Sequence, residues 1–273
     1  MDISVVTIVK NRRSALLNLI RGLEYCKTTP SELIIVHMNE APYRLPSASF
    51  PIHVKVVASE HHLPLAAARN LAIESANANQ VVFLDADCIP SIDLFCVYRK
   101  AFSQADLLLS GRVRYLSGLV MSKTDLFEHM MAYSMPDPVR EEIGQYPYEL
   151  FWSLNFACSK AVFSRIGGFD ERFIGYGGED TDFAFSAKSA GVELKTIDAI
   201  AFHQHHPSYD PPLNHLKDII CNAKAFQEKW GIWPMEGWLA KFQHAGLISW
   251  RDGRLELLRV PSAQEIRQAL KQT

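Results

Sequence analysis

Two carboxylates spaced i, i+2 sit at the end of an apolar run: Gln80-Val81-Val82-Phe83-Leu84 leads straight into Asp85-Ala86-Asp87, followed by Cys88-Ile89-Pro90. A short apolar run bounded by breakers reads as a buried strand of a mostly parallel sheet. In such sheets ligands gather at the carboxyl ends of the strands. Oxygens from alternate residues there can reach a hard divalent cation, directly or through water. Mg2+ or Mn2+ carrying phosphate oxygens is the guest this chemistry suggests. The structural alternative is that Asp85 and Asp87 open a turn and cap a helix after Pro90 and Ser91.

Three further groups carry chemistry. In Gly177-Gly178-Glu179-Asp180 the glycines allow close backbone approach to a ligand, and a helix then begins with two carboxylates. The helix N-terminus favours them as anions, and an ionised carboxylate at a cleft can take a proton from a hydroxyl. Capping alone also accounts for them. His203-Gln204-His205-His206 closes a strand-like run, and imidazole is a common metal ligand. Alternation sets His203 and His205 on one face if the strand continues, whereas a solvated turn suits the same residues. Lys10-Asn11-Arg12-Arg13 ends the first strand, and Arg69-Asn70 lies in an alanine-rich helix. A guanidinium fork there matches phosphate oxygens or forms a structural ion pair. His61-His62 reads as a solvated loop.

The elements that must position these residues alternate. Strands are expected at 3–9, 31–38, 52–58 and 80–84, with helices over 14–25 and 64–74, which argues for a βαβ-built, doubly wound sheet. Helix is expected over 90–102, strand over 107–113, and an irregular stretch over 116–150 that suits a lid or substrate loop. A strand over 151–158 precedes a helix capped by Ser159 and stopped by Gly167-Gly168. Another strand spans 192–202. The tail shows a helix over 214–230, an aromatic patch, and a last helix opened by the capping box Ser262-x-x-Glu265. The aromatics Trp230, Trp233, Trp238 and Phe242 read as core packing or as a peripheral contact with a membrane surface.

With 273 residues, 48% of them hydrophobic, the chain can bury a full core. A net charge of −2 gives no footprint for general nucleic-acid binding. Five cysteines without paired spacing give neither a disulfide framework nor a zinc signature. No apolar run reaches ~18 residues and the start lacks a basic n-region, so the expected location is cytoplasmic.

Six segments, taken in order, resemble the GT-A fold glycosyltransferases of the family 2 type, with a second half similar to the galactosyltransferase and chondroitin-polymerase C-terminal region. They are Val5–Arg12, Ala67–Ala72, Phe83–Asp87, Gly167–Phe173, Gly175–Phe183 and Phe202–Gln204, together covering about residues 1–206. The resemblance implies a catalytic domain over 1–212, with a nucleotide-binding half to about 115 and an acceptor-binding half from about 116. A helical extension over 213–273 packs on it. It implies a UDP-sugar donor, a glycan or lipid-linked glycan acceptor, and Mn2+ or Mg2+ held by Asp87 and His203, with Asp85, and with His205 as a further candidate. Asp180 becomes the base of an inverting transfer, and Glu179 helps hold a sugar. Thr7, Val9, Asn11, Arg12, Asn39, Glu40, Arg69, Asp85, Ala86, Asp87, Tyr176, Gly177 and Gly178 become the nucleotide-sugar site.

Two departures matter. Tyr176 stands where galactosyltransferase-like members have Trp, so the donor sugar cannot be borrowed, and their methionine ligand has no counterpart. The competing readings are a sugar-nucleotide pyrophosphorylase, whose glycine-rich basic signature Lys10–Arg13 lacks, and a degenerate sugar-binding module.

Overall fold

The first strand, β1 (Ile3–Val9), is buried at all seven positions, as a strand covered on both faces must be. The computed structural model describes residues 1–271 except 105 and 122. After β1 come α1 (Arg13–Tyr25), β2 (Glu32–Met38), β3 (Ile52–Val57), α2 (Leu65–Glu74) and β4 (Gln80–Leu84). These four strands pair in parallel in the order β3-β2-β1-β4. The alternation read from sequence is therefore the architecture of this half. At the edge, β3 keeps only its ends half-buried and presents His53 and Lys55 to solvent, which discourages further pairing.

The next elements are β5 (Cys88–Pro90), α3 (Leu94–Phe102), β6 (Leu108–Leu116), α4 (Leu126–His129), β7 (Ser134–Pro136) and β8 (Asn155–Ser159). Then follow α5 (Lys160–Ile166), α6 (Glu179–Ser189) and β9 (Leu194–His203). β8 runs antiparallel between β4 and β6, β6 pairs parallel with β9, and β5 closes antiparallel on β9. The sheet is thus parallel in its first half and mixed in its second. The helix expected from residue 90 begins only at Leu94, because Cys88–Pro90 is taken by the sheet.

Helices cover both faces. Leu16, Leu19, Ile20 and Leu23 of α1 pack with Phe95 of α3 on Val5 and Val9 of β1. On the other face, Ala68 and Ala72 of α2 let that helix lie close to Val6, while Phe163 and Phe183 bring in α5 and α6. Phe83 stacks on Phe156 at 4.2 Å and Phe169 on Phe183 at 4.3 Å, tying β4 to β8 and the 169 loop to α6. Each such side chain contributes roughly 1.5–3 kcal/mol by burial. Ser159 caps α5 by accepting from Val162 N at 3.1 Å, and Gly167 ends it at φ +96°, as expected from sequence.

The irregular 116–150 stretch has its own small core, in which Leu116, Val120, Leu126 and Met130 meet Ile89 and Phe202. A buried Asp137–Arg140 pair anchors it, with Arg140 lying 4.1 Å over Trp152.

The extension is not wholly helical. After β10 (Ser208–Tyr209), which precedes it, it holds α7 (Leu216–Trp230), α8 (Glu236–His244), a hairpin of β11 (Ile248–Arg251) and β12 (Arg254–Leu257), α9 (Ala263–Ala269) and β13 (Leu270–Lys271). β10 pairs with β13, so the end of the described chain returns to the segment just before the extension. Short strands of two to four residues leave too little periodicity to read. The capping box at Ser262 and Glu265 is present. Phe242 is fully buried and Trp233 and Trp238 pack on the same core, which gives these aromatics a packing role.

Candidate active site

Asp85-Ala86-Asp87 forms a turn at the end of β4, closed by Cys88 N donating to Asp85 O at 2.8 Å. It does not cap α3, which starts further on behind Asp93. The turn delivers Cys88 opposite His203 in the β5–β9 ladder, and Gln204 N donates to Asp87 O at 2.8 Å. Asp87 is thereby placed beside the end of β9. Its Oδ1 lies 3.6 Å from His203 Nε2 and its Oδ2 3.4 Å from His206 Nε2. Donor atoms of the three residues all lie within 4.8 Å of one another.

Asp85 and His205 stand outside this cluster, and His206 takes the place the alternation argument assigned to His205. The reason is local. β9 stops at His203, and Gln204 turns inward, buried, accepting from Asn18 Nδ2 at 2.9 Å and donating to Ala15 O at 3.0 Å. The His205 ring instead packs at Gly118, where an added Cβ would meet its Nδ1 at 2.8 Å.

One carboxylate and two imidazoles are a chemically reasonable set for a divalent ion. With metal–ligand bonds of about 2.1 Å, donors around one ion stand roughly 3.0–3.4 Å apart, close to the separations seen here. Burial lowers the His203 pKa, favouring the neutral imidazole that binds metal, whereas the hydrogen bond to Asp87 raises that of His206, whose proton an ion would have to displace. Burial pushes Asp87 up, but the His206 hydrogen bond and the charges of His203, His206 and Arg12 outweigh it and hold the carboxyl low.

Next to the cluster is a cavity of about 610 Å3 lined by the first turns of α1, Tyr43, Asp87 and His206. Arg12 Nε stands 4.0 Å from Asp87 Oδ2, and α1 has no side-chain cap, so its first N–H groups and Arg12 and Arg13 give this wall an anion-favouring character. Other expected nucleotide residues sit differently. Thr7 and Val9 are buried in β1, and Ala86 is buried in the turn. Asn39, at φ +50°, braces the loop after β3 by donating to His62 O and accepting from Ser59 N. Glu40 accepts from Asn11 N at 2.8 Å and meets His37 Nδ1 at 3.2 Å.

The second pair of carboxylates, Glu179 and Asp180, opens α6. Glu179 is buried, and both its oxygens are engaged: Oε1 accepts from Arg69 Nη1 at 3.0 Å and Oε2 from Gly177 N at 3.1 Å. It therefore braces the glycine loop, and Arg69 is its ion-pair partner. Asp180 accepts from Thr181 N at 2.8 Å, which fixes one of its oxygens. Burial first, and the Glu179 charge second, push Asp180 up to about 6, with Arg69 opposing. Burial pushes Asp85 up to about 7, again against Arg69, with Asp87, Glu179 and Asp180 adding to the rise. Arg69 thus sits electrostatically between the two acidic halves.

Sequence reasoning left open whether His205 or His206 joins the site, and it missed the Gln204 latch and the Arg69–Glu179 pair. The His-Gln-His-His string carried the first two, but choosing among its members requires the strand end to within one residue.

The chain belongs to glycosyl transferase family 2, whose model matches residues 4–158. A second model, described as the N-terminal domain of galactosyltransferase, matches residues 140–207. Validoxylamine A glucosyltransferase of Streptomyces hygroscopicus subsp. jinggangensis is 42% identical over 83 residues, covering 30% of this chain and 19% of the relative. Chondroitin synthase of Pasteurella multocida is 24% identical over 194 residues, covering 60% of this chain and 20% of the relative. The chain thus spans about a fifth of the length of these curated relatives. Among solved structures, S. aureus TarS 1–349 superposes with a TM-score of 0.54 at 13% identity, covering 83% of this chain and 66% of that one. GalNAc-T7 with UDP, GalNAc and Mn2+ gives 0.54 at 15% identity, covering 89% and 57%. These likenesses show the fold, which is the α/β GT-A arrangement expected from sequence.

Proposed function

We propose that this chain transfers a sugar from a UDP-sugar to a hydroxyl of a glycan or lipid-linked glycan, with inversion at the anomeric carbon. The observation that carries the reading is the pairing of two unlike half-sites. Asp87, His203 and His206 converge beside a cavity walled by α1, and Asp180 opens a helix just across Arg69. Neighbours of the same fold solved with UDP-GlcNAc, or with UDP, GalNAc and Mn2+, support a nucleotide-sugar donor.

Asp87, His203 and His206 would hold the divalent ion, and two imidazoles favour Mn2+ over Mg2+. When bound, such an ion supplies Lewis-acid stabilisation of the leaving diphosphate. Arg12 and the free N–H groups of α1 add positive potential on that side. Asp180 takes the proton of the acceptor hydroxyl. The oxygen lone pair then forms the new bond to the anomeric carbon as the bond to the diphosphate breaks. A carboxylate ionising near 6 is still ionised at neutral pH and is a stronger base than an ordinary aspartate. Glu179 and Arg69 hold the loop that presents it.

Among the described residues, no helix is long and apolar enough to cross a membrane. The test is UDP release from a panel of UDP-sugars, each with and without Mn2+ and with glycoside acceptors. Metal-dependent turnover on at least one donor is expected; binding of UDP without turnover on any donor would favour a sugar-nucleotide-binding module.

A further inference from the structure

A second cavity, of about 460 Å3, lies between α1 and the loop that follows β2. From α1 come Arg13, Leu17 and Arg21, spaced i, i+4, i+8 and so on one stripe of the helix; the loop brings Arg44, Leu45 and Pro46. The loop is tied down at both ends. Tyr43 meets His37 edge-on at 4.7 Å, and beyond the cavity Ser49 N and Oγ both donate to Glu24, the latter at 2.8 Å. Tyr43 and Leu45 pack against the core beneath α1, and Arg44 between them is exposed. The cavity is therefore formed before anything enters it.

Its charge is unbalanced. Arg13, Arg21 and Arg44 are exposed, and among the described residues none of them forms an ion pair or a side-chain hydrogen bond. Arg112, Arg172 and Arg259, also open to solvent, each hold a carboxylate at 2.7–2.8 Å. The one carboxylate in the cavity wall is Glu24, and Ser49 engages both of its oxygens. Three like charges gathered without a counter-charge repel one another and draw an anion.

We propose that this cavity is a second anion site, separate from the cluster at Asp87, and that it binds a phosphate ester. It goes beyond the transferase reading and does not depend on it: the two cavities share Arg13 alone. A phosphate monoester carries three free oxygens and close to two charges, which suits three guanidinium forks; a carboxylate offers two oxygens and one charge. Leu17, Leu45 and Pro46 give the organic part of the ester an apolar wall, and the volume falls within the roughly 300–1,000 Å3 of small-ligand sites. A soluble phosphate ester and the head of a phosphatidic acid present the same group.

The test titrates the full chain, in EDTA so that no ion sits at Asp87, with inorganic phosphate, glycerol 3-phosphate and dihexanoyl phosphatidic acid. Sedimentation with phosphatidylcholine vesicles, with and without phosphatidic acid, gives the membrane arm. Arg21→Gln and Arg44→Gln should each weaken binding about 3–5-fold and together about tenfold or more, with thermal unfolding unchanged. The exposed pair Arg254→Gln, Arg267→Gln removes the same charge elsewhere and should change binding little. Binding of glycerol 3-phosphate that the Arg21, Arg44 double variant loses supports the site with a soluble ester. Binding only of phosphatidic acid, dispersed or in vesicles, lost in the same variant, supports it with a lipid head. No binding of any probe by the wild type, equal affinity in wild type and double variant, or an equal loss in the control pair would each overturn it.

Discussion

Replacing Arg69 by Met isolates what holds the two halves of the site in relation to each other. Arg69 and Glu179 are both almost fully buried, 6% and 7% exposed at the side chain, and meet at 3.0 Å. Solvent screening is therefore slight, and the change strands the Glu179 carboxylate with only Gly177 N as a partner. Removing one member of a buried pair costs about 3–5 kcal/mol, a large part of a stability of roughly 5–15 kcal/mol. The double variant Arg69→Met, Glu179→Met removes both charges and should recover most of that loss.

Urea unfolding at pH 7 measures both. The activity carries a second signature. Arg69 is the cation that opposes the rise of Asp180 and Asp85, so its loss should move the acid limb of the kcat/KM profile upward from near pH 6. Activity would then fade at a higher pH as the pH falls. A single variant within about 1 kcal/mol of wild type, or a double variant no more stable than the single one, would refute the strut argument. An acid limb that stays in place would refute the electrostatic one.

Other perturbations separate the remaining roles. Asp180→Asn should leave Mn2+-dependent UDP binding intact by calorimetry but lower transfer about 10²–10⁴-fold; undiminished transfer would exclude Asp180 as the base. His206→Ala should weaken Mn2+ affinity at least as much as His203→Ala, by about tenfold or more, whereas His205→Ala should change it little; the reverse order would show that the cluster at Asp87 is not the metal site. Asp170 is held low by hydrogen bonds from Arg172 and Lys229, against burial. Its folded pKa lies below the unfolded value near 3.9, so its contribution is present above that pH and is lost as the pH falls further. Urea midpoints of wild type and Asp170→Asn should therefore still differ at pH 3 and draw together only well below it, and a gap already closed at pH 4 would count against this ion pair.

The first half of the fold was legible because its physics is local. Buried parallel strands are apolar at every position, as in Ile3–Val9, and the helices between them show their stripes. Asp87 and Asp180 could be singled out for the same reason, since each follows a recognisable strand end or glycine turn. The choice of His206 over His205 depends on where β9 stops and on Gln204 turning into α1, a contact between positions 15 and 204. The Arg69–Glu179 pair joins residues that no local pattern relates. The extension's short strands and its grip on Gly175–Gly178 through Asn222 lie beyond any periodicity for the same reason.

The β5–β9 ladder also sets an order of events. It pairs Cys88 with His203, so the three donor atoms meet only once the chain has closed a loop of more than a hundred residues. Non-local pairings of this kind form slowly, because loop closure must come first. A chain folded only as far as β5 owns Asp87 but neither His203 nor His206, and captures no ion through this trio. Metal uptake would therefore report that the last strand of the sheet has docked. Once it has, an ion at a hundred times its dissociation constant would hold that closure by about 2.7 kcal/mol.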